Sequence, residues 1–244
     1  MSKIIKLFVL LFLYCLQTFS QQKQGKLTYN VYLNVENFNK NLSKSKKSSK
    51  ERIKTLLAKQ GTKTYNLYFK NNESIFKEEK RLKVDNSRKK MDLVSIFAGK
   101  GKYYYNRKSN EILIEKEVIG EDFIVKSSPD YNWNLTQETK KIGNYNCYKA
   151  TTTQIVITEK GEKKEKPIVA WYSPDLPISF GIKDFQGLPG ATIFLNEQTI
   201  IYSLSEVKFN FLDEDNEVSK PTKGKEITQS ELNEFLKKNM LKGF

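Results

Sequence analysis

Residues 27–35 read Leu27-Thr28-Tyr29-Asn30-Val31-Tyr32-Leu33-Asn34-Val35. Leu27, Tyr29, Val31, Leu33 and Val35 alternate with Thr28, Asn30, Tyr32 and Asn34. Successive side chains of a strand point to opposite faces, so a two-residue apolar period predicts a half-buried strand. The same signal recurs along the chain. Tyr65, Leu67 and Phe69 alternate, and Asn71-Asn72 turns the chain into a second strand ending near Lys80. Residues 101–106 and 111–118 form a predicted hairpin around Asn106–Asn110. Further strands are expected at 123–126, 132–138, 145–158, 168–172, 191–196 and 199–211, while 81–98 stays ambiguous. Short strands at this spacing predict a mainly β fold: an antiparallel meander forming a curved sheet or open β-barrel.

Two segments break the pattern. Between Lys40 and Lys63 stand nine Lys or Arg and one acid, Glu51. Its first half, 41–49, reads as a solvated loop. Ser48 with Glu51 makes a capping-box pattern, and Ile53, Leu56 and Leu57 share a helical face, so a short helix is expected near 49–60, stopped by Gly61. At the other end, Thr228 with Glu231 is a second capping box. Leu232, Phe235, Leu236 and Met240 then mark a C-terminal helix at about 229–241. Asp213, Asp215 and Glu217 alternate like calcium ligands, but Val218 stands where such a loop needs glycine, so the stretch reads as a polar linker.

The N-terminus reads as a secretory signal peptide. Lys3 and Lys6 precede an uncharged apolar run from Leu7 to Leu16, and Thr18 and Ser20 are small residues before a cut at Gln21. The run is shorter than the roughly 20 residues a bilayer span needs. Leu13-Tyr14 before Cys15 is too bulky for a lipidation site. The expected organisation is therefore a signal peptide at 1–20, one β-rich domain at 21–212, and a linker with an amphipathic helix at 213–244. The expected address is the periplasm or outer-membrane periphery, or secretion, without an integral membrane segment.

Charge and composition narrow the function classes. The chain carries +14, and losing Lys3 and Lys6 leaves +12. On an exported protein that charge faces lipid headgroups, lipopolysaccharide phosphates or acidic polymers instead of nucleic acid. Histidine is absent, which excludes Ser-His-Asp and Cys-His catalysis and removes the commonest metal ligand. After cleavage Cys147 stands alone, so it is expected to be buried. No cofactor or metal is expected.

Residues 141–150 read Lys-Ile-Gly-Asn-Tyr-Asn-Cys-Tyr-Lys-Ala, followed by Ala170-Trp171-Tyr172-Ser173-Pro174, then Gly181 and Phe185-Gln186-Gly187-Leu188-Pro189-Gly190. This ordered set resembles the GLPGLI family of exported proteins from one group of Gram-negative bacteria. The chain departs from the motif at Ala191-Thr192. The resemblance is collinear over about 25–212 and implies an uncharacterised family, with no reaction or catalytic residue to carry over. Its pattern is also distantly similar to periplasmic lipoprotein carriers with open β-barrels.

Leu188-Pro189-Gly190-Ala191 fits a type II turn, proline fixing one φ and glycine supplying a positive one. Gly187, Leu188, Pro189 and Gly190 are thus read as a motif turn into a buried strand. Candidate binding residues are Trp171, Tyr172, Tyr103 and Tyr105 on strands, and Lys46, Lys47, Lys50 and Arg52 in the basic segment. The expected function is a non-catalytic binding or carrier module for an apolar or anionic envelope ligand, with lipid, lipopolysaccharide or an envelope protein as partner. Alternatives are a protein–protein accessory to outer-membrane uptake or secretion machinery, and a carboxylate-dependent hydrolase.

Overall fold

The computed structural model describes residues 24–42, 47–79, 91–157, 162–211 and 218–240. The opening alternation is realised in β1 (Gln24–Leu33), where Leu27, Tyr29 and Val31 are fully buried. We call the face they occupy the inner face. Val35 does not continue the strand: it is exposed and begins helix α1 (Val35–Leu42). Asn34 ends the alternation because its side-chain Oδ1 accepts the Asn37 N–H at 3.2 Å, a capping contact that favours helix over strand.

Eleven further strands follow: β2 (Lys63–Lys70), β3 (Glu73–Glu78), β4 (Lys102–Asn106), β5 (Glu111–Val118), β6 (Glu121–Ser127), β7 (Asn134–Ile142), β8 (Tyr145–Ile157), β9 (Lys163–Ser173), β10 (Ala191–Asn196), β11 (Ile200–Phe209) and β12 (Lys225–Thr228). They form one 12-stranded sheet in the order β12-β6-β5-β4-β3-β2-β1-β11-β10-β9-β8-β7. Two meanders, β2–β6 and β7–β11, flank β1, and every pairing except β12 with β6 is antiparallel. The sheet does not close on itself.

The inner face is filled by the chain's own side chains. Leu57 of α2 (Lys47–Ala58), Val94 and Ala98 of α3 (Leu93–Ala98) and Phe180, Ile182 and Phe185 of the β9–β10 connection share one core with Tyr65, Phe76 and Tyr202. Tyr65 and Phe76 stack at 5.4 Å, and Phe69 stacks on Phe180 at 5.8 Å. Burying rings of this size is worth about 1.5–3 kcal/mol each.

The C-terminal segment wraps the β6 edge. Val218 packs on the outer face against Ile75, Tyr104, Leu113 and Ile124. β12 then pairs along the edge, and α4 (Gln229–Met240) lays Leu232 and Phe235 on the inner face, with Phe235 5.0 Å from Phe123. The capping box forms as expected: Thr228 N–H donates to Glu231 Oε2 at 2.6 Å, and Glu231 N–H donates to Thr228 Oγ1 at 3.2 Å. Residues 218–240 are therefore part of the domain, with a strand that their polar sequence hid.

The basic segment is more helical than expected. Asn41 and Leu42 end α1 and Lys47 opens α2, so Ser48 lies within the first turn of α2 instead of capping it. The ambiguous 81–98 resolves in part: α3 occupies its end, capped by Asp92, whose Oδ1 accepts the Ser95 N–H at 3.1 Å. The signal-peptide reading and the Asp213–Glu217 linker lie outside the described residues. No described helix is long and apolar enough to cross a membrane.

Cys147 is buried on β8, and burial pushes its thiol up from the ordinary range. Labelling with a thiol-reactive disulfide reagent should therefore be slow in the native protein and should accelerate across the denaturant unfolding transition. Rapid labelling of the native protein would overturn this placement.

Candidate functional site

Adjacent strands β9 and β10 are joined by residues 174–190, long for neighbours in a sheet, and most of that connection is buried. Buried loop backbone must find hydrogen-bond partners. Gln186 supplies them. Its Oε1 accepts Gly181 N–H at 2.8 Å, and its Nε2 donates to the carbonyls of Lys183 at 2.8 Å and Gly181 at 3.4 Å. Trp133 Nε1 donates to the Gln186 carbonyl at 2.8 Å. Gly181 approaches so closely that a Cβ there would collide with the Phe185 carbonyl.

The motif turn differs from the type II form. Gly190 N–H donates to Leu188 O at 3.0 Å, a contact centred on Pro189, while Ala191 N–H goes to Leu176 O at 2.9 Å. A type II turn would have joined Leu188 O to Ala191 N–H. Glycine is still required at 190, because φ is +147° and a Cβ would meet the Ser173 carbonyl. Leu188 is buried and Gly187 and Pro189 are exposed.

Under this connection lies a buried charge cluster. Lys183 Nζ sits 2.8 Å from Glu197 Oε1, both side chains below a tenth exposed, and Lys166 Nζ lies 3.6 Å from Glu197 Oε2. Burial opposes the Lys183 charge, but Glu197, with Tyr202, Tyr103 and Asp184, holds the ammonium well above the ordinary lysine range. Asp184 accepts from Tyr131 OH at 3.0 Å, and Gln154 Nε2 donates to that same hydroxyl at 3.0 Å. Burial pushes the Asp184 carboxyl up from its usual range; Lys183 opposes that shift and Glu197 adds to it.

Glu197 stands in the tight turn between β10 and β11. Its N–H donates to Ile200 O at 3.0 Å, and Thr199 N–H donates to Glu197 O at 2.8 Å. While Glu197 points into the core, its neighbours Asn196 and Gln198 line an open cleft of about 280 Å³ at the end of the sheet. Its floor is Pro167 and Val169, and its opposite wall is Asn34 and Asn37 at the start of α1. The walls are tied together: Asn34 N–H donates to Thr199 O at 2.9 Å, Asn34 Nδ2 to Asn196 Oδ1 at 3.3 Å, and Gln198 N–H to Asn196 Oδ1 at 2.8 Å. Glu36 and Lys40 on the rim pair with each other at 2.9 Å.

The cleft opens on the outer face. Register places Tyr32 beside Ile201, Ile201 beside Asn196, and Asn196 beside Val169, with Phe194 beside Trp171 in the next row. All of these are half-buried. Trp171 therefore borders the cleft row, whereas its neighbour Tyr172 is buried on the opposite face, 6.1 Å from Tyr148. Tyr103 and Tyr105 face the packed interior, 6.5 Å from Phe76 and 6.3 Å from Phe180. Those rings are core and are not brought together with Trp171.

The basic candidates stand elsewhere. Lys46 lies outside the described residues, Lys47 and Lys50 fall on α2, and Arg52 is exposed there. Part of the segment's charge is neutralised: Lys40 pairs with Glu36, Lys54 with Glu51, and Lys63 with both Glu78 and Asp92. Asn34, Asn37, Asn196 and Gln198 were missed by sequence reading, since single amides on separate elements carry no pattern. Among the described residues no group of three or more Cys, Asp or Glu converges as metal ligands would.

Breaking a buried ion pair from one side leaves an uncompensated charge, so Glu197→Ala should cost about 3–5 kcal/mol in denaturant unfolding. The double variant Lys183→Met/Glu197→Met should recover most of that loss; equal loss in both would remove the pair from this role. The raised Asp184 carboxyl gives stability that is present below the unfolded-state value and lost as pH rises through the folded one. Asp184→Asn should flatten that decline in unfolding measured from acid to neutral pH, and an unchanged profile would count against it.

A family model described as a protein of unknown function (Porph_ging) matches residues 133–161 and 157–194, the stretch that contains the ordered motifs and the 174–190 connection. No curated protein matches the chain. Among solved structures, PNGF-II in a C2 space group is similar, with a TM-score of 0.50 and 18% identity over 86% of this chain and 32% of that chain. A P21 form of PNGF-II gives a TM-score of 0.46 at 17% identity, over 87% of this chain and 33% of that one. The chain thus spans about a third of the PNGF-II chain, and the likeness is one of fold.

Proposed function

We propose that this is an exported cell-envelope protein of the GLPGLI type, acting as a non-catalytic binding module whose ligand sits on the sheet's surface. The observation that carries the reading is the contrast between the two faces. The inner face, where a carrier would hold an acyl chain, is packed with Tyr65, Phe76, Phe180, Phe185 and Tyr202. The outer face keeps the open cleft and a half-buried row of rings beside it. A curved sheet filled by its own side chains has no room for a lipid tail, because interiors are packed at near-crystal density.

The chemistry of the buried cluster agrees. Lys183 and Lys166 both pair with Glu197, so these groups have partners within the fold. The signal-peptide pattern and the net positive charge support an envelope address, and the fold gives the binding face rigidity, since β9, β10 and β11 are all interior strands.

The full chain, expressed in a Gram-negative host, should yield a mature protein starting at Gln21, by intact mass. That protein should cosediment with purified envelopes and show no lipid adduct by native mass spectrometry. A stoichiometric acyl-lipid adduct would restore the carrier reading, and failure to cosediment would sink the binding-module reading.

A further inference from the structure

We infer that the cleft between the start of α1 and the β10–β11 turn is a binding site for a neutral polyhydroxylated ligand, a glycan segment. This rests on the binding-module reading and gives it a ligand class. The lining decides the chemistry. Four carboxamides converge, from Asn34, Asn37, Asn196 and Gln198, and the one charged pair on the rim, Glu36 with Lys40, is self-neutralised. A carboxamide offers an acceptor oxygen and two donor hydrogens in one plane, which complements a hydroxyl that both donates and accepts. Among the described residues of the lining an anion would find no uncompensated cation, and an apolar tail would leave the Asn37 and Gln198 amides without partners at a cost per group.

The site is also pre-organised. Asn34 and Asn196 are fixed by their mutual bond and by the backbone N–H groups of Asn37 and Gln198. Gln198 holds a left-handed φ of +66°, unusual for glutamine, which the turn's own hydrogen bonds sustain. Glu197 and Lys166 anchor the turn and β9 from beneath, while Gln198 and Pro167, next to them in sequence, face the cleft. Immobilised amides lose little freedom on binding, which improves affinity.

Size and surroundings point the same way. The cleft is open and sits at the small end of ligand sites, so it fits one ring of an extended chain instead of engulfing a whole ligand. Pro167 and Val169 offer an apolar floor for a sugar's C–H face. Two residues along β9, about 7 Å away at strand spacing, lie Trp171, whose ring Lys140 Nζ approaches at 5.8 Å, and its cross-strand partner Phe194, half-buried rings that border the next position along the strand. An extended peptide would instead seek a strand edge, and β9, β10 and β11 are all paired on both sides.

The mature protein should be titrated with maltohexaose, cellohexaose, chitohexaose and mannohexaose, following calorimetry and tryptophan fluorescence. At least one should bind, with affinity unchanged in 0.5 M salt. Asn37→Ala and Gln198→Ala, each confirmed folded by unchanged thermal unfolding, should weaken that binding at least fivefold, and Trp171→Phe should remove the fluorescence response. If Gln198→Ala unfolds the turn, Asn37→Ala on the α1 surface carries the test. No binding by any of the four up to 10 mM, binding that both amide variants retain, or binding of neutral Gly/Asn-rich peptides in place of the saccharides would overturn the assignment. Absence of saccharide binding by a protein that still cosediments with envelopes would overturn the glycan site while leaving the binding-module reading standing.

Discussion

The Lys183–Glu197 ion pair is the constraint on which the most interesting half of the molecule depends. It joins residues from two different connections, the long β9–β10 crossing and the tight β10–β11 turn, and it does so out of water. Neither charge can be left there alone, so the two connections are obliged to meet. Gln186 then satisfies the backbone that this meeting buries, and Trp133 fastens the result to the segment leading into β7. The motif residues at 181–190 therefore read as the parts of a buried strap. Their ordering in sequence follows from the strap's geometry, with a glycine where backbones touch, a glutamine where they need partners, and a glycine at +147° where the chain re-enters the sheet.

That strap changes what the sheet can do. A curved antiparallel sheet with an empty concave side would be a container. Here the strap contributes Phe180, Ile182 and Phe185 to the core, α2 and α3 add Leu57, Val94 and Ala98, and α4 covers the β6 side. With the inner face full, open surface among the described residues of the sheet lies on the outer face. There the C-terminal segment covers β3–β6 through Val218, whereas the rows over β1, β11, β10 and β9 stay half-exposed. The fold thus divides one sheet into a covered half and an available half.

Much of this was legible in the sequence, and the reasons for the gaps are physical. Alternation located β1 because one of its faces is buried and the other is not, β2 and the β4–β5 hairpin were marked by apolar and aromatic residues bounded by turns although both of their faces are covered, and the Thr228–Glu231 box located α4 because capping is a local interaction. β12 escaped because Lys-Glu-Ile-Thr buries a single side chain, Ile227, and is recruited by pairing with β6. α1 escaped because Val35 prolongs the strand's alternation by one step, and only the Asn34 cap stops it. Trp171 and Tyr172 were correctly separated to opposite faces by strand periodicity. Which face was the core could not be read locally, since that depends on strap residues following them. Tyr103 and Tyr105 stood as binding candidates for the same reason: a ring's neighbour across the core comes from a distant segment, Phe180 in the case of Tyr105.

The charge of the chain and the chemistry of the cleft then act at different ranges. A net charge of +14 produces a field that extends about 8 Å at physiological salt and draws the protein toward anionic surfaces without selecting among them. Selection requires short-range groups whose geometry is fixed, and those in the cleft are uncharged. A cationic cleft would have added to the steering field but would have bound any phosphate it met. Pairing Glu36 with Lys40 on the rim removes that competition and leaves hydrogen-bond direction as the discriminating feature. On this reading the lysines of the basic segment set where the protein dwells, and the amides fixed by their own hydrogen bonds set what it holds.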